Sequence, residues 1–114
     1  MPLLGDKKAA DALAVDQSAG FSVRSGAGAI PLTHAVCKLT TTGAEALTLA
    51  LGVAGQKLRI VMVVNGGVGT LTFTAVPAVT ELTFGAVGEF VDLEMNAVAT
   101  SWAVTATNAG ITYT

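Results

Sequence analysis

Apolar and polar residues alternate along most of the chain after Leu32, and the alternation resets at glycines and asparagines. The clearest case is GQKLRIVMVVNGG. There Leu58, Ile60, Met62 and Val64 fall on one side, and Lys57, Arg59, Val61 and Val63 on the other. A period of two is that of a strand. The second side starts charged and ends apolar, so this strand lies centrally, or that side meets another sheet or a subunit. In TTGAEALTLALG, Leu47, Leu49 and Leu51 share one face, and Ala46, Thr48 and Ala50 the other. A helix competes there, but Thr48 and the flanking Gly43 and Gly52 favour a short strand. LTHAVCKLTT sets His34, Val36 and Lys38 opposite Cys37 and Leu39.

Downstream, GTLTFTAV turns Leu71 and Phe73 inward and Thr70, Thr72 and Thr74 outward. TELTFGAVG repeats the phrase, with Leu82 and Phe84 in and Glu81 and Thr83 out. These read as two equivalent strands of a hairpin-like unit. EFVDLEM alternates Val91, Leu93 and Met95 with Phe90, Asp92 and Glu94; SWAVTATN groups Trp102, Val104 and Ala106. Asn65-Gly66-Gly67 reads as a turn of residues able to take positive φ, and Gly88 as another. Pro77 marks a strand end. About eight short strands, with turn signals roughly every 8 to 12 residues, predict an all-β antiparallel sandwich or jelly-roll-like barrel.

Residues 1–30 differ. They are rich in small residues and charge, and read as an N-terminal arm or extension to a single β domain over residues 31–114. KKAADALAV, from Lys7 to Val15, has spacing for a helical turn or two.

Composition sharpens the picture. Only 12% of the 114 residues are charged and 52% are hydrophobic, against about 25% charged in an ordinary soluble domain. So few charges point to buried contacts between subunits and a homo-oligomer; a monomer with an Ala/Thr-rich surface is the competing reading. The net charge is −2 and the basic residues do not cluster beyond Lys7-Lys8, which argues against a direct nucleic-acid partner. The longest strongly apolar run, Ile60 to Val64, is far short of a membrane-spanning helix. The N-terminus has no continuous apolar stretch before its charges and does not read as a secretory signal. The single cysteine cannot form a disulfide within the chain.

Catalytic patterns are missing. His34 and Cys37, each the sole residue of its type, point to opposite faces of one strand and do not converge on a metal. Glu81, Glu89, Asp92 and Glu94 form the densest acidic group, but without calcium-loop spacing; a solvated face or edge protection is the plainer reading. GAGAI and NGGVGT lack the residues of a phosphate loop. Trp102 reads as core, leaving Trp102 and Tyr113 as thin support for a sugar site. No catalytic residue, cofactor or metal is expected, and the chain is not expected to be an enzyme.

Residues 41–102 resemble small virion proteins of tailed bacteriophages and prophages. The phrases that carry the resemblance are TTGAEALTLALG, GQKLRIVMVVNGGVGTLTFT, TELTFGAVGEFVDLEM and TSWAVTATNAG, in that order. The resemblance implies a β-rich domain, usually trimeric, that decorates or cements the capsid surface after synthesis in the host cytoplasm. A tail-fibre or spike-associated module, binding carbohydrate or protein, is the alternative. Its partner would be the major capsid protein or another virion protein. Gly55, Gln56, Asn65, Gly66, Gly67, Gly88 and Trp102 fit the pattern as scaffold residues. The chain departs from it at Val76, Pro77, Ala78 and Val79, where relatives carry a polar loop. With Val61 and Val63, the residues Val76, Pro77 and Val79 are therefore candidate interface positions.

Overall fold

A computed structural model of the chain describes residues 20–76, 81–108 and 112–113. The expected helical stretch from Lys7 to Val15 and the positions Pro77 and Val79 lie outside the described residues. The described part is all β. Its strands are β1 (Ser22–Ser25), β2 (Gly28–Ala29), β3 (Val36–Thr41), β4 (Glu45–Thr48), β5 (Lys57–Asn65), β6 (Gly69–Thr72), β7 (Ala75–Val76), β8 (Glu81–Phe84), β9 (Phe90–Met95), β10 (Trp102–Thr107) and β11 (Thr112–Tyr113). Thus Gly20 to Ile30, within the expected arm, supply one edge strand to each sheet.

The strands form two sheets. One has six strands in the order β1-β3-β5-β9-β10-β7; the other has five, β11-β8-β6-β4-β2. The expectation of an antiparallel sandwich or jelly-roll-like barrel is corrected in its pairing: β1 with β3, β3 with β5, β2 with β4, β4 with β6 and β10 with β7 are parallel pairs. The cause is the route of the chain. After β1, β3 and β5 a short corner carries it to the other sheet instead of turning back in the same one. Successive strands of each sheet then run the same way, and the first six strands stack as three coils. Antiparallel pairing begins with β8 on β6 and β9 on β5. The β6–β8 pair aligns Leu71 with Leu82, which joins the two LTF phrases, although β7 in the other sheet lies between them in sequence.

Inward-facing positions build one core. Leu39, Leu47, Leu58, Ile60, Met62, Leu71, Leu82, Phe84, Val91, Leu93, Met95 and Trp102 are fully or almost fully buried. Each such side chain contributes roughly 1.5–3 kcal/mol of apolar burial.

Two bulges break the alternation. Leu39 aligns with Met62 but Thr40 with Val64, so Val63 is an extra residue in β5. The expected inward Val64 is thereby exposed. Between β9 and β10 the register shifts at Thr105, and Ala106 is exposed instead of following Trp102 inward. Leu51 is also exposed, beyond the end of β4.

The corners stack on one another. An added Cβ at Gly66 would lie 2.5 Å from the Thr41 carbonyl oxygen, and one at Gly67 would lie 2.3 Å from the Gly43 carbonyl carbon. Neither glycine has a positive φ, so the expectation is corrected: close backbone approach demands them, not handedness. Gly55 and Gly88 do take positive φ, at 79° and 94°.

Candidate interaction surface

The scaffold positions hold the ends of the sandwich. Asn65 accepts from the Gly67 amide at 3.0 Å and donates through Nδ2 to the Gly85 carbonyl at 2.8 Å, tying the β5 corner to the β8–β9 loop. Gly88 donates its amide to the Met62 carbonyl. At the opposite end Gln56 is buried; its Oε1 accepts from the Val53 amide at 3.0 Å and its Nε2 donates to the Leu32 carbonyl at 3.2 Å. Beside it, Trp102 donates its indole N–H to the Ala50 carbonyl at 3.0 Å. These residues position the faces.

The chemistry-bearing side chains are dispersed. Cys37 is buried in the core, and burial pushes its thiol pKa up. His34 is half-buried, with Nδ1 3.0 Å from the Thr33 hydroxyl. The acidic group divides: Glu81 belongs to the five-stranded sheet, Glu89 accepts from the Gly85 amide in a loop, and Asp92 and Glu94 share the outer face of β9. Among the described residues, no three His, Cys, Asp or Glu side chains group as a metal site.

Among the described residues, Phe21, Val23, Val63 and Val64 are exposed apolar side chains on the outer face of the six-stranded sheet, while Leu51, Val68, Val87 and Val98 are exposed in loops. Register places Val23, Lys38, Val61 and Phe90 at one level across β1, β3, β5 and β9. Phe21 and Val23 are 49% and 53% exposed, and the β5 bulge leaves Val63 and Val64 38% and 50% exposed. Lys38 Nζ lies 3.9 Å from the Phe21 ring centroid, and the Arg59 guanidinium 4.5 Å from that of Phe90. Each cation thus covers an aromatic ring.

Next to this strip the face is charged. Arg59 aligns with Asp92 and Lys57 with Glu94. Arg59 makes a forked pair with Asp92, Nε to Oδ1 at 2.6 Å and Nη2 to Oδ2 at 2.7 Å, and this holds the guanidinium pKa above its ordinary value. A recess of about 370 Å³ runs beside the pair, lined by Ala35, Lys57, Arg59, Asp92, Glu94 and Thr105 among others. The face therefore has an apolar part, at Phe21, Val23, Val63 and Val64, and a charge-paired part along the β5–β9 ladder.

Val61 and Val63 were expected at an interface, and both lie on this face. Val76 is in β7 at the sheet edge. Sequence reading missed Phe21, Val23 and Val64. The first two sit in the stretch read as an arm, and the third was placed inward by an alternation that the bulge interrupts. The Arg59–Asp92 pairing had no local signal, since the residues are 33 apart. Compared with protein-family models and with curated proteins, the chain matches none.

Proposed function

We propose that this chain is a structural virion protein of a tailed phage, a capsid decoration or cement protein that works as an oligomer and stabilises the assembled shell. The observation that supports this reading most is the uncovered outer face of the six-stranded sheet. A chain with 12% charged residues has little polar surface to spare, yet it leaves Phe21, Val23, Val63 and Val64 open to solvent there. Exposed apolar side chains grouped on one sheet face beside charged pairs favour an association site. The phrases between residues 41 and 102 add the virion context. Particles of a phage lacking this gene test the reading. Adding the purified chain back is expected to give bound protein and to raise the temperature at which the particles release their genome. Absence of binding, with unchanged release, contradicts it.

A further inference from the structure

We infer that the outer face of the six-stranded sheet is a two-fold contact between two copies of this chain, with the β5–β9 ladder of each lying across that of the other. The argument rests on how three aligned pairs divide between the two strands. Lys57 aligns with Glu94, Arg59 with Asp92 and Val61 with Phe90. On this face β5 therefore carries two cations and an apolar residue, and β9 carries two anions and an apolar residue at the same three levels.

Sheets that pack face to face lie about 10 Å apart with strands within about 30° of alignment. Consider a two-fold axis in the contact plane, parallel to the strands and midway between β5 and β9. Rotation about it lays β9 of the second copy over β5 of the first and preserves the level along the strand. Asp92 of the second copy then stands over Arg59, Glu94 over Lys57, and Phe90 over Val61. The same three pairings recur on the other side of the axis, as an isologous contact requires. A 30° twist centred on the Arg59 level shifts the outer levels by only about 3.5 Å, within reach of these side chains. The Arg59–Asp92 pair uses two N–H donors of the guanidinium, and a guanidinium has five. The second carboxylate therefore joins a four-member charge network without breaking the first pair.

The opposite face supports the choice by contrast. On the outer side of the five-stranded sheet, Ala46, Thr70 and Thr83 form one level and Thr48, Thr72 and Glu81 another. Those levels have no cation–anion division to fix a register.

This contact deepens the oligomer part of the proposed function and is independent of the virion part. It also specifies a dimer, not the trimer that the resemblance implies. Sedimentation equilibrium of the full chain over a dilution series tests it. Wild type is expected at twice the 11.4 kDa chain mass. Arg59→Asp alone and Asp92→Arg alone each set like charges opposite one another and are expected to be monomeric, with circular dichroism showing that both remain folded. Mixing the two variants restores opposite charges across the axis and is expected to give a one-to-one heterodimer. A monomeric or trimeric wild type, folded single variants that stay dimeric, or folded variants that do not associate on mixing would each overturn the inference. Failure of the capsid experiment with the heterodimer intact would overturn only the virion reading. If a single variant does not fold, the paired variants Lys57→Glu and Glu94→Lys apply the same exchange one level away.

Discussion

The hydroxyl of Thr41 donates to the carbonyl of Gly67 at 2.6 Å, 26 residues downstream, and accepts the amides of Gly66 and Gly67 at 3.1 and 3.2 Å. One buried side chain thus satisfies three backbone groups and locks the β3–β4 corner onto the β5–β6 corner. Thr41→Val keeps the shape and takes the hydroxyl donor from the Gly67 carbonyl, while the Gly66 amide keeps the Thr41 carbonyl and the Gly67 amide keeps Asn65 Oδ1. Chemical denaturation should show a loss of about 1–3 kcal/mol, that of one buried carbonyl left without its donor. Gly67→Ala, whose methyl would enter the Gly43 backbone, should cost at least as much. Gly43→Ala meets nothing within 4 Å and should fall within about 1 kcal/mol of wild type.

Gly52, Gln56 and Trp102 form a tight cluster at the other end. A Cβ on Gly52 would strike the Gln56 side-chain oxygen and come within 3.1 Å of the Trp102 ring. Gln56→Ala removes two hydrogen bonds and should destabilise by about 2–3 kcal/mol. Gly52→Ala should also destabilise, yet cost less in the Gln56→Ala background, because the obstructing amide is gone. A double-mutant cycle reads this as a coupling of about 0.5–3 kcal/mol; strict additivity would contradict the packing described.

Cys37 links burial to alkaline stability. Burial raises its thiol pKa above the ordinary 9.0, while hydrogen bonding from Ser22 and the charge of Arg24 pull the other way. The native state thus keeps the proton after the unfolded chain loses it. The thiol's contribution is full below the unfolded value and is lost as the pH rises from there through the folded value. Between about pH 7 and pH 10.5, the melting temperature of wild type should fall further than that of Cys37→Ala. Equal falls would show that the thiol plays no part.

Much of the fold was legible because alternation reports burial directly. Leu58, Ile60 and Met62, Leu71 and Phe73, and Val91, Leu93 and Met95 all face the core as their spacing predicts. Alternation names a face but not a neighbour, so parallel stacking was hidden: it arises where corners such as residues 42–44 and 66–68 hand the chain to the other sheet. Bulges were hidden too. Nothing in MVVN distinguishes an inserted Val63 from a regular one, and the single extra residue moved Val64 to the outside. Lys57, Arg59, Asp92 and Glu94 were visible as charges, but their division into facing rows required the β5–β9 register.

Thiol labelling offers the most direct test of whether the outer face of the six-stranded sheet is covered when the protein assembles. Cys37 is the sole cysteine and is buried, so a thiol introduced at an exposed position reports its own surroundings. Val63→Cys places it on the proposed contact and Ala46→Cys on the exposed side of the other sheet. Maleimide labelling of each, in dilute and in concentrated protein, should show Val63→Cys protected on association and Ala46→Cys labelled at the same rate throughout. Equal labelling of Val63→Cys at every concentration, or protection of Ala46→Cys in its place, would contradict the account.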